Sequence, residues 1–582
     1  MASPARVAPG RALSVLKLRR RESRGVPAGW PESVHPVLQQ VYAARGVLQP
    51  AQVEHRLARM LAPQLLGGMD QAVALLAEAI RDDWSILVAG DYDCDGATGT
   101  AVAVRGLRLL GAQRVDYAIP NRFTHGYGLS AAFVASLQPT PRLIVTVDNG
   151  VASVAGVAAA KARGIRVIVT DHHLPGEQLP DCDAMVNPNL AGDPFPSKML
   201  AGVGVMFYLL LSLRAVLREQ GAFTSAEPDL SSLLDLVALG TVADLVPLDF
   251  NNRVLVEAGL QRMRSGRACA GIGALVEVGK RSLATLCASD LGFAVGPRLN
   301  AAGRLEDMRL GVECLLTDDL ARARHCAAQL DAINRERRDL QASMVAEAEQ
   351  MVAGLSDIDA IGVALFEPSW HAGVVGLVAS KLKERLHRPV IAFAPASEDD
   401  VEHLRGSARS IPGFHVRDAL AVIDARQPGL IERFGGHAMA AGLSLKAADY
   451  PRFAAAFDAV ARELIEPERL QAVLHTDGEL PPGAATLALA RQLRAAGPWG
   501  QAFPEPLFDN LFDCASWKVM GECHLRLQLR DPRDGAVHDA VMFNAYHGQP
   551  PPPRLRAAYE LVINDWQGRE SPRLLLRHIE PA

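Results

Sequence analysis

Short apolar runs and amphipathic stretches alternate through the first half of the chain. "SILVAG" (85–90) reads as a buried strand, 98–110 as a helix and "RVDYAI" (114–119) as a strand. "RLIVTVD" (142–148) and "IRVIVTD" (165–171) are further strands, with an Ala-rich helix over 151–163 between them. Apolar β-branched runs alternating with helices predict a parallel sheet covered on both faces. Helical spacing over 52–80 leads into the first strand, and a helical block is expected over 199–315. Residues 317–352 read as one long helix, free of internal Gly and Pro, with a stripe of Leu330, Ile333, Leu340, Met344 and Met351. Such a helix joins two lobes. A second α/β unit follows, with strand "IGVALFE", helix "GVVGLVASKLKERL" and strand "PVIAFA", ending near Leu464. Alternating runs such as "HLRLQLRD" and "AVMFNAY", broken by Gly, Pro and Asp turns, predict a small C-terminal β-barrel.

Composition changes this picture little. The chain has 582 residues, enough for several domains, with 49% hydrophobic and 21% charged residues. Its longest apolar runs are too short to span a bilayer, and the basic start lacks a signal-peptide h-region, so a cytoplasmic protein is expected. Eight cysteines without a CxxC pair suit a reducing compartment and argue against a zinc ribbon. A net charge of −5 leaves a nucleic-acid partner open, because a groove needs only a local positive field. Residues 1–30 read as a loose basic leader.

The chemistry lies at the strand ends. In a doubly wound sheet, ligands bind outside the carboxyl ends of the strands. Here those ends carry Asp91, Asp93 and Asp95, then Asp148, then Asp171 with His172 and His173. So many carboxylates resist ionisation together unless a cation neutralises them. Oxygen ligands with an imidazole admitted suit Mn²⁺, and two bridged divalent ions are the usual apparatus for attack of water on a phosphodiester. A calcium loop starting at Asp91 is excluded, because Val102 stands where the bidentate Glu belongs. Asp244 closes a strongly apolar segment, where a carboxylate is costly to bury unless paired or metal-bound.

"DYDCDG", "VDNG", "DHH" and "GTVADLVPL", in this order, resemble the DHH phosphoesterase superfamily. "NRFTHGYGLS", "GPRLNAAGRLEDM", "WHAGVVGLVASKL", "GSARS", "RFGGHAMAAGLSL" and "PEPLF" narrow the resemblance to its RecJ family of bacterial single-strand-specific 5′→3′ exonucleases. It covers the chain from about Leu61 onwards. It implies an α/β fold with two lobes, a parallel-sheet DHH domain joined by a long helix to a smaller α/β DHH-associated domain, plus a C-terminal OB-fold β-barrel. The expected divisions are 1–50 (leader and N-terminal segment, partly disordered), 51–316 (DHH domain with helical lead-in), 317–352 (connecting helix), 353–466 (DHH-associated domain) and 467–582 (OB-fold).

The resemblance further implies two divalent ions, Mn²⁺ or Mg²⁺, with ligands Asp93, Asp95, Asp148, His172 and Asp244. Asp91 and His173 are expected beside them, and Gly435, Gly436 and His437 across the cleft on the scissile phosphate. For the 5′ end the matching residues are Arg122, Arg298, Asn300, Arg304, Ser407 and Arg409. Read physically, Arg offers a planar fork to phosphate, although Arg409 could equally be a surface pair. In the barrel, Phe508, Phe512 and Trp517 are candidate base platforms or core residues. Cys94 departs from the small apolar residue usual in "DYDADG", and strand-like alternation points it away from Asp93 and Asp95. "PWGQAFPEP" departs where "PFGxGNPEP" is common, which bears on the barrel. The expected substrate is single-stranded DNA, with single-strand-binding protein and a helicase as the partners the resemblance suggests, and a monomeric enzyme. The alternative is a phosphoesterase acting on short oligonucleotides or cyclic dinucleotides.

Overall fold

In the computed structural model, residues 16–22, 25–121, 126–224, 226–354, 360–397 and 399–582 are described. Five parallel strands form the first sheet, in the spatial order Val115–Ala118, Ile86–Ala89, Leu143–Val147, Arg166–Thr170, Ala184–Val186. After Ile86–Ala89 the chain crosses to one neighbour and returns on the other side. The gap between Ile86–Ala89 and Leu143–Val147 is therefore the switch point, where an open α/β sheet leaves a crevice. Leu143, Val145 and Val147 face the helices Cys94–Leu109 and Gly202–Glu219, whereas Ile144 packs with Phe133, Val157 and Ala160 on the other face. Both faces are apolar because both are covered.

The helix Cys94–Leu109 begins four residues earlier than its apolar periodicity predicts, because Asp93 caps it by accepting from the Gly96 amide at 3.0 Å. Cys94 is therefore the first residue of a helix and is buried, not part of a strand-like alternation.

The long helix spans Leu320–Gly354, about 50 Å at 1.5 Å per residue. Its first half buries Ala323, Cys326, Ala327 and Leu330 in the first lobe, and its second half buries Met344, Ala348 and Val352 in the second. The second sheet runs Arg433–Gly436, Ala440–Lys446, His403–Arg409, Val390–Pro395, Val363–Phe366; only the last two strands pair in parallel. A closed barrel of Phe508–Met520, His524–Arg530, Val537–Met542, Arg569–Pro581 and Arg554–Trp566 completes the fold. Its core is continuous with that of the first lobe. Phe508 and Phe512 lie inside it, so they are not base platforms; Trp517, 40% exposed, remains available for stacking.

Of the leader expected to be loose, residues 1–15 and 23–24 lie outside the described residues, and one part of the rest is ordered. Lys17–Arg20 forms a strand parallel to Val473–Thr476, and Arg20 donates to Asp509 and Glu479 at the barrel. So short and basic a strand, paired with a segment near the other end of the chain, leaves no local periodicity to read. Nearby, the Arg45 guanidinium donates to both oxygens of Asp477 at 2.7 and 3.0 Å, with each side chain 1% exposed. Arg45→Ala would leave the buried Asp477 carboxylate with only the Leu507 amide at 2.9 Å and the Arg21 guanidinium at 3.5 Å. It is expected to cost about 3–5 kcal/mol, read by denaturant unfolding.

Candidate active site

Three strand ends and one helix end supply the cluster. Asp93 and Asp95 sit at the start of the helix Cys94–Leu109, where free amides and the helix dipole favour negative charge. Asp95 is fully buried and accepts from the Gly202 and Val203 amides at 2.6 and 2.9 Å, at the start of a second helix. Asp148 follows the central strand in a left-handed conformation (φ +64°), a strained backbone of the kind retained at functional sites. Asp244 is the C-cap of the helix Leu234–Ala243, where the dipole disfavours a carboxylate.

These groups converge in two halves bridged by a third set, Asp148, His172 and His173. Asp95, His172 and Asp244 bring ligand atoms within 4.8 Å of one another, and so do Asp91, Asp93 and Asp148. His172 Nε2 joins the halves, at 3.1 Å from Asp148 Oδ1, 3.5 Å from Asp244 Oδ2 and 4.0 Å from Asp95 Oδ2. Asp91, expected beside the ligands, brings its own carboxylate to the second group.

The electrostatics are those of a cation site. Burial, then the charges of Asp244 and Asp93, hold the Asp95 carboxyl well above its ordinary range. Burial and the charges of Asp95 and Asp93 do the same to Asp148. Asp244 is pushed up to about 7 by burial and Asp93. The two adjacent imidazoles are driven apart. Burial and the neighbouring His173 charge lower His172 to about 4, leaving it the neutral imidazole that binds metal. His173 is also buried, but its hydrogen bond to Asp171 at 2.7 Å raises it to about 9. Asp171 is buried yet held below its usual value by His173, and it accepts from the amides of Val151, His172 and His173. Its oxygens are thereby committed to shaping the "DHH" turn.

Buried polar atoms without a hydrogen-bond partner are rare and call for an explanation. Asp148 Oδ1 and His172 Nε2 are both such atoms, and they face each other. A divalent cation shared by acidic oxygens and a neutral imidazole satisfies both, so the donor set fits Mn²⁺ or Mg²⁺.

Glycines hold the walls close. A Cβ on Gly202 would lie 2.5 Å from Asp148 Cβ, and one on Gly240 2.9 Å from Asp95 Oδ1. A Cβ on Gly303 would lie 1.7 Å from the Tyr92 carbonyl, which explains the small residues of "NAAGR".

The remaining candidates divide. His437 lies close enough to His172 and His173 for their charges to oppose one another, which brings the second lobe's "GGH" to the metal side. Asn300 accepts from the Cys94 amide at 2.8 Å, anchoring the acidic loop. The Arg298 guanidinium is tied to Asp331 of the long helix at 2.7–2.9 Å, so it joins the lobe to that helix. Arg304 donates to the Gly373 carbonyl at 3.4 Å, between the lobes. Ser407 and Arg409 stand side by side (3.0 Å) against Gly376, near the start of the helix Val375–Leu386. Burial lowers the Arg409 pKa, and among the described residues no carboxylate pairs with it. That arrangement leaves the Arg409 guanidinium able to take an anion. Arg122 lies outside the described residues.

Two residues at the mouth escaped the sequence reading. Tyr127, within "HGYG", stands edge-on to both Tyr92 and His173, with ring centroids 6.0 and 6.1 Å away. Phe293 is 84% exposed on a π-helical turn, Leu291–Val295, whose flanking glycines pack on Val242 and Ala243 beside Asp244. No periodicity marks an isolated exposed aromatic.

Comparison with known proteins agrees with this architecture. The DHH family N-terminal domain matches residues 85–241, the DHHA1 domain 359–463 and the RecJ OB domain 476–578. The single-stranded-DNA-specific exonuclease RecJ of Dickeya dadantii is 50% identical, over 97% of this chain and 99% of that protein. The structure of RecJ from Thermus thermophilus in complex with Mn²⁺ superposes with a TM-score of 0.78 at 31% identity, covering 94% of this chain and 76% of that one. Its complex with Mg²⁺ gives 0.73 at 30% identity, covering 94% and 75%. The chain belongs to the RecJ family of DHH phosphoesterases.

Proposed function

We propose that this protein is a metal-dependent exonuclease specific for single-stranded DNA, which removes 5′-mononucleotides in the 5′→3′ direction during DNA recombination and repair. The observation that carries this reading is the facing pair of buried, partnerless atoms, Asp148 Oδ1 and His172 Nε2, inside a ring of carboxylates. Asp93, Asp95, Asp148, His172 and Asp244 would hold two divalent cations, with Asp91 alongside. Bound Mn²⁺ or Mg²⁺ supplies an acidified water and neutralises phosphoryl oxygens.

The chain's own groups do the positioning. Gly435 and Gly436 let backbone approach the scissile phosphate, and His437 donates to its non-bridging oxygens. Asp171 orients His173 beside the reacting phosphate. Ser407, Arg409 and the start of the helix Val375–Leu386 take the terminal 5′ phosphate one nucleotide away, which sets the direction of cleavage. Trp517 and the neighbouring Tyr546, 6.1 Å apart on the barrel, stack unpaired bases downstream. Single-strand-binding protein and a helicase, which coat and generate such strands, are the partners this activity calls for. Among the described residues no helix is long and apolar enough to cross a membrane; we place the enzyme in the cytoplasm as a monomer.

A long single strand labelled at its 5′ end, incubated with protein and Mn²⁺, tests this reading. Labelled mononucleotide is the expected first product. Dinucleotide cleavage without mononucleotide release from the long strand would move the protein to the short-oligonucleotide class. Arg409→Ala is expected to slow a 5′-phosphorylated strand by about 10–100-fold, at roughly 1.5–3 kcal/mol for a charged hydrogen bond. A 5′-hydroxyl strand should slow far less, and single-turnover rates on the two ends check this.

A further inference from the structure

The register of the second sheet continues the phosphate-binding surface outward, past the residues that the activity on a 5′-monophosphate end uses. On the strand His403–Arg409, Arg405, Ser407 and Arg409 point to one face. Pairing places Ser444, Gly442 and Ala440 beside them, and then Arg433 and Gly435 on the edge strand, with His437 continuing the line. The opposite face is packed with Phe393, Leu404, Ala408 and Leu443. On the first face, Val390, Ala392 and Ala394 are covered by the helix Val375–Leu386, whereas Arg405, Gly442, Arg433 and Gly435 are exposed.

The floor of this strip is two cross-strand glycines, Gly435 and Gly442. Neither has a positive φ, and a Cβ on either would meet nothing within 4 Å. The fold itself does not require them, and glycine inside a strand weakens it; such residues mark close approach of a ligand. At the inner end lie Ser407 and Arg409. About 7 Å further along the strand, two residues on, Arg405 stands in one row with Ser444 and Arg433. Among the described residues neither Arg405 nor Arg433 has a carboxylate partner. The strip closes at His403, whose imidazole is taken by Asp400 at 2.9 Å and Glu432 at 3.4 Å. A bare floor with guanidinium and hydroxyl donors, no aromatic ring and an acidic stop suits a short polyanion continuing outward from the terminal phosphate.

We propose that Arg405 and Arg433 receive the outer phosphates of strands that end in a 5′-triphosphate, so that the enzyme trims polyphosphorylated ends directly. This rests on the exonuclease reading and on the terminal phosphate at Ser407 and Arg409. The water oxygen bonds to the phosphorus between the first two nucleotides and the P–O3′ bond breaks. The 3′ oxygen takes the proton, releasing a nucleoside 5′-triphosphate with a free 3′ hydroxyl and leaving a 5′-monophosphate on the strand.

The test compares one deoxyoligonucleotide carrying a 5′-monophosphate or a 5′-triphosphate, with Mn²⁺, in single turnovers. The wild type should cut the triphosphate end within threefold of the monophosphate rate, with nucleoside triphosphate as the first product. In the Arg405→Ala/Arg433→Ala variant, the triphosphate rate should fall at least tenfold while the monophosphate rate stays within twofold. The paired lysine substitutions should restore most of the loss. A wild type that cuts only the monophosphate end overturns the proposal and leaves the exonuclease reading standing, as does a double variant that slows both ends equally. Failure to cut even the monophosphate end removes the exonuclease reading and this proposal with it.

Discussion

Replacing Asp148 by Asn is expected to stop strand hydrolysis while making the metal-free protein more heat-stable. Asp148 is a buried carboxylate whose Oδ1 has no hydrogen-bond partner, and burial together with Asp95 and Asp93 already disfavours its ionisation. In the metal-free protein those charges repel one another, and the amide of the Asp148→Asn variant would remove one of them. Catalysis should fall about 1,000-fold or more, beyond the 10–100-fold typical of losing a group behind a ligand. Each kcal/mol of relief should appear as about 1 °C in melting temperature for a chain of this length. The pH dependence has a definite sign. A carboxyl raised in the folded state keeps its proton there after the unfolded chain has lost it, so metal-free stability declines as pH rises through the raised pKa. Asp244, at about 7, places the decline between the ordinary carboxylate range and neutrality. The metal-free wild type should therefore melt higher at pH 5.5 than at pH 8. Mn²⁺ should raise the melting temperature most at pH 8, and the Asp148→Asn variant should show a shallower slope. Calorimetry with and without EDTA checks all three.

Gly202→Ala should be nearly as damaging from outside the ligand set. Its amide donates to Asp95 Oδ2 at 2.6 Å, and the added methyl would lie 2.5 Å from Asp148 Cβ and 2.7 Å from Asp148 Oδ1. The methyl thus presses on Asp148, at the residue whose amide holds Asp95. Overpacking of this kind costs about 1–3 kcal/mol of stability. Displacing ligands by about 1 Å costs roughly 100-fold in rate. Single-turnover rates and Mn²⁺ titration should both show the defect in a protein that still folds, as read by circular dichroism.

The cluster was legible because its residues sit where local pattern changes: apolar runs that stop in acid at three strand ends, with the "DHH" turn attached. Parallel-sheet topology converts that local signal into one crevice. What could not be read was how each charge is spent. Arg298 and Arg409 lie in equally suggestive glycine-rich stretches, yet Asp331 claims the first across 33 positions while the second has no acid partner among the described residues. Asp171 ends its strand as Asp148 does, but the amides that follow consume its oxygens. Asp244 is visible as a costly carboxylate, although only the structure shows it at a helix C-terminus, where the dipole adds to the cost. Phe508 and Phe512 illustrate the same limit in the barrel, because alternation reveals two faces without saying which is inside. The strand Lys17–Arg20 is invisible locally, since its partner lies near the other end of the chain.

The most direct test of the central claim is calorimetric titration of Mn²⁺ into the metal-free protein and its Asp148→Asn variant at pH 8. The account predicts two ions bound per wild-type chain, with proton release from the raised carboxyls, and at least one of the two lost in the variant. Equal stoichiometry and affinity in both proteins, or no saturable binding by the wild type, would contradict it.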